Sequence, residues 1–404
     1  MPSSLTLLPA TARMARMGNI LLDPERARAI LEEENIDVLI ASRPENFSYI
    51  SGICRLLEHR HVREHTTFAL LNREGHVVLV IPWFELDTAK EETAVTDIAP
   101  FRQFANVLTA ERAALHRGDF PEAVAAERIA RMGYQSGRIG FDELYTPVSV
   151  YEHLRQQLPG AEFVPATRVF ERLRQVKTRE EIARLSQAAN IVEQGFRALG
   201  ARLSEGVTEQ QLADAALEVF HREGAPLSFL HCGAGVRSSI EHLPPSNYAV
   251  RAGDLVRFDM GVIVRGYHAD VGRTFVCGQP TPRQKEIYAR VAHSHHEVTA
   301  AMKPGVTGAE LYDIYRREMG EYFSVFPLDW IGHSYGLELH ESPFLAPTMN
   351  DPLEAGMLLA VEIVLDYPDR EGYHLEEPIL ITENGNQRLT GLPTDSLVPG
   401  ESPP

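Results

Sequence analysis

The sequence predicts an α/β domain over residues 18–165, followed by an α+β domain over residues 172–398 built on an internal pseudo-twofold repeat. Three observations support this. Short apolar runs alternate with helix signatures through the first part of the chain. An amphipathic segment follows, with apolar residues at spacings of three and four. After it, a capped helix and a pair of carboxylate-bearing strands occur twice, about a hundred residues apart.

In the first domain, Asp23-Pro24 reads as an N-cap and first-turn proline opening a helix to about Asn35. IDVLIAS reads as a buried strand, and FALLNREGHVVLVI as two strands joined at Asn72–Gly75. A further helix and strand pattern ends in RIGFDE, near Arg138–Glu143. This alternation is the signature of an α/β layer. The domain boundary is expected near residues 166–177. The segment RQVKTREEIARLSQAANIVEQGFRALG then reads as one amphipathic helix, with Ile182, Leu185, Ala189, Val192, Phe196 and Leu199 on its apolar face.

The repeat lies downstream. Gly206, Val207, Thr208, Leu212 and Asp214 match Gly305, Val306, Thr307, Leu311 and Asp313 at an offset of 99, and each threonine is a candidate N-cap. His242 and His340 are offset by 98, while Asp259/Asp270 and Glu362/Glu376 are offset by 103 and 106. Each half therefore reads as helix, histidine, then a strand pair carrying two carboxylates. Arg265-Gly266 reads as a tight turn, which would bring Asp259 and Asp270 directly or diagonally opposite each other. Glu362 and Glu376 flank a second turn at Pro368–Gly372.

Four carboxylates and the intervening His333 suit two divalent cations sharing oxygen-rich ligands. Four convergent carboxylates without cations would repel, one close pair alone costing about 4 kcal/mol at an effective dielectric near 20. A single strand aspartate is usually a surface or turn residue. Two such pairs in repeated halves make a metal-dependent hydrolase the leading reading.

Composition bounds the alternatives. Thirty-nine basic against 56 acidic residues leave a net charge of −17, which opposes a nucleic-acid or anionic-membrane surface. Three cysteines, Cys54, Cys232 and Cys277, have no CxxC spacing. They predict neither a disulfide framework nor a structural zinc site, and a reducing, cytoplasmic compartment. The apolar patch near the N-terminus is broken by Pro9 and is too short for a signal peptide, and no window approaches a membrane span.

With its ligand series in order, the chain resembles the creatinase/prolidase/methionine aminopeptidase family of pita-bread metallopeptidases, most of all bacterial Xaa-Pro dipeptidases and aminopeptidases. PENFSYISG (Pro44–Gly52) looks like part of that family's N-terminal domain, and RQVKTREEI (Arg174–Ile182) like the helix opening its catalytic domain. The resemblance covers nearly the whole chain. It implies Asp259, Asp270, His333, Glu362 and Glu376 as ligands of two metal ions, manganese first, with cobalt, zinc or iron as alternatives. It further implies Glu362 as proton shuttle and His340 and His242 as substrate-side catalytic histidines. The expected reaction is attack of a metal-activated hydroxide on the peptide bond before proline in a small peptide substrate, by a homodimer. GYHADVGRT, with Tyr267 and Thr274 around Asp270, resembles a family signature in which Thr274 would support the ligand carboxylates.

The chain departs from the family pattern at three places. Prolidase-like enzymes usually follow the first glutamate ligand with Pro-Gly; here Ile363-Val364 follow Glu362. They usually carry arginine two residues before the last glutamate; here it is His374. No arginine occurs between His340 and Glu362, where many dipeptidases grip the substrate carboxylate. A replacement clamp could come from Arg370, or from Arg55, Arg60 and Arg63, since in related dimers an N-terminal loop can reach the neighbour's site; the other reading of the Arg55–His65 run is a solvated surface segment. Two other readings stand beside the dipeptidase: a non-peptide amidase or C–N hydrolase on the same scaffold, and a catalytically silent binding protein. The complete ligand set disfavours the silent protein and the metal-free creatinase branch.

Overall fold

The computed structural model describes residues 21–54, 66–102 and 120–399. The chain forms two compact units, Met1–Arg174 and Gln175–Pro404. The arginine cluster Arg55–His65 and the N-terminal apolar patch lie outside the described residues.

In the first unit the elements run α1 (Pro24–Glu33), β1 (Val38–Ala41), α2 (Pro44–Ser51), β2 (Phe68–Asn72), β3 (Val77–Pro82), α3 (Leu86–Glu92), β4 (Asp97–Phe101), α4 (Pro121–Arg131), β5 (Arg138–Phe141), α5 (Val148–Gln157), β6 (Glu162–Pro165) and α6 (Thr167–Gln175). Asp23 caps α1, its carboxylate accepting from the Glu25 and Arg26 amides. The strands form one mixed sheet in the order β4-β3-β2-β1-β5-β6. The hairpin β2–β3 is antiparallel, whereas β1–β5 and β5–β6 are parallel. Val38, Ile40, Phe68, Leu70, Val78 and Val80 pack against Ala125 and Ile129 of α4. Each large side chain so buried contributes about 1.5–3 kcal/mol.

The second unit comprises α7 (Arg179–Arg202), α8 (Glu209–Arg222), β7 (Leu227–Ala234), β8 (Leu255–Val264), β9 (Tyr267–His268), β10 (Val271–Val276), α9 (Pro282–Ala301), α10 (Gly308–Met319), β11 (Gly332–Ser334), β12 (Glu341–Phe344), β13 (Leu358–Tyr367), β14 (Glu371–Thr382) and β15 (Gly385–Arg388). One sheet is ordered β10-β8-β7, with β9 also paired to β8; the other is ordered β12-β11-β13-β14-β15. Helices α7 and α8 share a core with the first sheet, through Val192, Phe196, Leu212 and Phe220 against Phe258, Met260 and Val262. Helices α9 and α10 do the same for the second, through Ile287, Val291 and Leu311 against Val361, Ile363 and Leu375.

The internal repeat extends to backbone detail. Thr208 and Thr307 each form a complete capping box, with Gln211 and Glu310. Each also makes an isolated antiparallel bridge, Thr208 to Ala249 and Thr307 to Pro352. This is the two-halved architecture of the pita-bread fold, preceded by a creatinase-type α/β unit.

The helix expected from Arg174 begins later. Arg174 and Gln175 end α6, Val176 bridges to Met357, and α7 starts after Thr178. Thr178 accepts from the Glu181 amide while the Glu181 carboxylate accepts from the Thr178 amide. That capping box needs an extended N-cap backbone, found here at φ −70 and ψ 167, so the apolar period cannot extend backwards through it.

Candidate metal centre

Strand alternation sorts the site. On β8, Val256, Phe258, Met260 and Val262 face the helices. Asp259, between them, points to the opposite face. On β13, Val361, Ile363 and Leu365 are core residues, leaving Glu362 on the other side. Register sets the pairs. Asp259 lies opposite Gly272, so Asp270 is its diagonal neighbour, whereas Glu362 lies directly opposite Glu376. The turn between the aspartates is at Arg265 and Gly266, both with positive φ (48 and 90), as a two-residue type I′ hairpin requires. His333 enters from β11, opposite Ala360 of β13.

These five side chains converge. His333 Nε2 lies 3.7 Å from Asp270 Oδ2 and 3.9 Å from both Glu362 Oε1 and Glu376 Oε1. His333 Nδ1 is 3.0 Å from the Ser334 carbonyl, which can only accept, so Nδ1 carries the proton and Nε2 presents its lone pair to the carboxylates. His340 stacks edge-on against His333 with centroids 4.2 Å apart. Three groups have ligand atoms within 4.8 Å of one another: Asp270, His333 and His340; His333, Glu362 and Glu376; and Asp259, His374 and Glu376.

The electrostatics express the crowding. Burial raises the Asp270 carboxyl well above the usual carboxylate range, and Asp259 and Glu362 raise it further. Burial drives Glu376 up likewise, reinforced by Asp270 and Glu362. Burial also opposes ionisation of Asp259 and Glu362, but neighbouring histidines outweigh it and hold both below the usual range: His231 and His374 for Asp259, His374 and His333 for Glu362. Burial lowers His333 to about 4, so its imidazole is neutral near pH 7. Asp259 Oδ1, His231 Nδ1 and both ring nitrogens of His374 are buried without hydrogen-bond partners. Orphaned donor atoms around carboxylates that cannot all ionise fit a site completed by divalent cations.

The centre opens into a cavity of about 320 Å³. All seven sequence-predicted site residues, Asp259, Asp270, His333, Glu362, Glu376, His242 and His340, line it. His242 sits 5.0 Å from the His231 ring, on the Asp259 side. Phe326, Leu328, Trp330 and Leu339 form an apolar wall.

Sequence reasoning missed His231. It pairs with Asp259 across β7 and β8, with Nδ1 at 3.6 Å from Asp259 Oδ2. Its signal was its place in the short strand LSFLHCGA, legible only once β7 is known to border β8. In the sequence His374 stands out only as a departure from the family's arginine; in the fold it is buried beside the carboxylates. Thr274 does not support a ligand carboxylate; its hydroxyl donates to the His374 carbonyl and accepts from the His374 amide. Arg370 is exposed at the β13–β14 turn and is not part of the cavity lining.

Comparison with known proteins gives this geometry its family. Residues 183–383 match metallopeptidase family M24, and residues 25–176 match the creatinase/prolidase N-terminal domain. The chain is 34% identical to the uncharacterized peptidase YqhT of Bacillus subtilis over 65% of this chain and 75% of that one. It is 28% identical to the Xaa-Pro dipeptidase of Pyrococcus horikoshii, covering 91% and 97%. The solved Xaa-Pro dipeptidase of Bacillus anthracis superposes with a TM-score of 0.79 at 25% identity, covering 95% and 99%, and the prolidase of Pyrococcus furiosus with 0.74 at 27%, covering 91% and 99%. Among the described residues no helix is long and apolar enough to cross a membrane. The chain therefore belongs to metallopeptidase family M24.

Proposed function

We propose that this metallopeptidase hydrolyses the peptide bond before proline in Xaa-Pro dipeptides, with two divalent ions held by Asp259, Asp270, His333, Glu362 and Glu376. The observation that carries this reading is the convergence of those five side chains at the floor of one cavity. Similarity to proteins named Xaa-Pro dipeptidase supports the substrate class. When bound, the metal pair supplies Lewis acidity and a water of lowered pKa. Glu362, less buried than Asp270 or Glu376, accepts the proton of the attacking water and passes it to the leaving nitrogen. His340 and His242 hydrogen-bond the substrate from opposite sides and stabilise the oxyanion or the leaving nitrogen. Manganese is the proposed metal for so oxygen-rich a set, and the working form is proposed to be a cytoplasmic homodimer.

One observation favours a second reading, a non-peptide amidase. Among the described residues lining the cavity, Arg257 is the only arginine or lysine, and both Asp366 carboxylate oxygens lie 3.2 Å from its Nη1. A substrate carboxylate finds no uncommitted cation there. The separating experiment strips the purified protein of metal, restores Mn, Co or Zn, and assays Xaa-Pro dipeptides, longer Xaa-Pro peptides and acyl amides. Turnover confined to dipeptides supports the first reading. Turnover confined to amides supports the second, and none with any metal refutes both.

A further inference from the structure

The two halves of the catalytic unit repeat a tripeptide that composition does not single out: Gly266-Tyr267-His268 precedes Asp270 as Gly372-Tyr373-His374 precedes Glu376. In each half the histidine stands two residues before the second carboxylate; His374 and Glu376 lie on one face of β14, whereas His268 ends β9 and Asp270 follows it outside the strand. The two histidines have different surroundings. His268 Nδ1 lies 2.7 Å from Ser228 Oγ, an ordinary hydrogen bond. His374 is 1% exposed, and neither ring nitrogen has a hydrogen-bond partner among the described residues.

The surroundings of His374 are built to hold that ring where it is. Gly272 faces it, and a Cβ there would come within 2.4 Å of Cε1 and 2.7 Å of Nδ1, so only glycine leaves room. Thr274 clamps the His374 backbone from both sides, at 2.8 Å to the amide and 3.1 Å to the carbonyl. The ring is thereby aimed between the carboxylates, with Nε2 at 3.4 Å from Glu362 Oε2 and 3.5 Å from Glu376 Oε2. These separations exceed the 2.7–3.2 Å of a formed N–H···O bond. They match donor atoms sharing one ion: ligands about 2.1 Å from a common cation lie roughly 3–3.5 Å apart. Asp259 completes the same group, its nearest donor atoms and those of His374 and Glu376 lying within 4.8 Å.

We propose that His374 is a sixth protein ligand of the centre, on the Asp259/Glu376 side, and that it shifts metal preference towards zinc or iron. This rests on the metal-centre reading above. It adds a second imidazole to a set that would otherwise carry one, and imidazole favours zinc and iron where carboxylates favour manganese.

The test compares wild type with His374→Ala by chelator-competition titration of zinc and of manganese, with melting of the metal-free forms as a check on folding. His374→Gln replaces the alanine variant if that one does not fold. We expect zinc affinity to fall at least tenfold more than manganese affinity. A zinc-to-manganese affinity ratio that falls by less, stays level or rises overturns the proposal, because a purely structural role would weaken both metals together. Wild type that binds neither metal would instead overturn the metal-centre reading itself.

Discussion

The two halves of the catalytic unit share helices, caps and hairpins, yet they present their side chains differently. In the first half Asp259 faces Gly272, and the two aspartates meet on the diagonal. In the second half Glu362 faces Glu376 directly. The first half sets His231 opposite its strand carboxylate; the second sets His333 opposite Ala360. His268 is satisfied by a serine, while His374 is left facing carboxylates. The lesson is that a repeated backbone supplies equivalent places, and the chemistry comes from filling them unequally.

The largest expected effect is on activity. Asp270→Ala and Glu362→Ala, one from each half, should each lower kcat/KM for metal-dependent hydrolysis by about 10³-fold or more. Steady-state assays at saturating metal check this. Full activity in either variant would mean that one half does not contribute to the centre.

The next compares how the halves anchor their histidine loops. Lys177 Nζ and Glu341 Oε2 are 2.7 Å apart and almost wholly buried, Glu341 following His340 directly. Lys177→Met removes that cation from a buried carboxylate that also accepts from the Glu338 amide, and should cost about 3–5 kcal/mol. On the other side, Arg237 pairs with buried Glu209, which also accepts from the Ala234 amide and from the Ser246 amide and hydroxyl. Arg237→Met should therefore cost clearly less. Urea unfolding of both variants measures the difference, and equal losses would refute the distinction.

A pH effect is smaller. At the repeat offset of 99, His295 on α9 stands where α7 has Phe196. Burial lowers the His295 imidazole to about 3, with Arg273 and Arg388 adding to the effect. The folded state keeps it neutral while the unfolded chain binds a proton below about pH 6.5, so its contribution to stability is present above that pH and is lost as pH falls towards 3. Between pH 7 and pH 5 wild type should lose about 2 kcal/mol more than His295→Phe. Unfolding free energies at the two pH values decide it; parallel losses would exclude His295 as the cause. The smallest effect is a symmetric one: Thr208→Ala and Thr307→Ala should each cost about 1 kcal/mol, since both remove the same capping box. Unequal losses in thermal melts would show that the repeat is less alike in energy than in form.

Much of this was legible in the sequence because it rests on local rules. Asp23-Pro24, the two threonine caps and the alternation of β8 and β13 depend only on neighbours along the chain. The α/β unit, the repeat and the convergence of five metal-type side chains followed from these. What was not legible depends on pairing between distant segments. The diagonal and direct registers are set by how the hairpins close. His231 acquires meaning only when β7 lies beside β8. Thr274 and Gly272 turn to His374 because β10 lies against β14, a proximity between residues 100 apart for which spacing offers no signal. The start of α7 was misplaced for the opposite reason: a local cap at Thr178 overrode an apolar period that looked continuous.

The most direct measurement of the central claim is the metal content of the purified chain after exchange into a divalent metal, counted by inductively coupled plasma mass spectrometry alongside Asp270→Ala. The account predicts two ions per chain in wild type and at least one fewer in the variant. One ion or none in wild type, or an unchanged count in the variant, would contradict it.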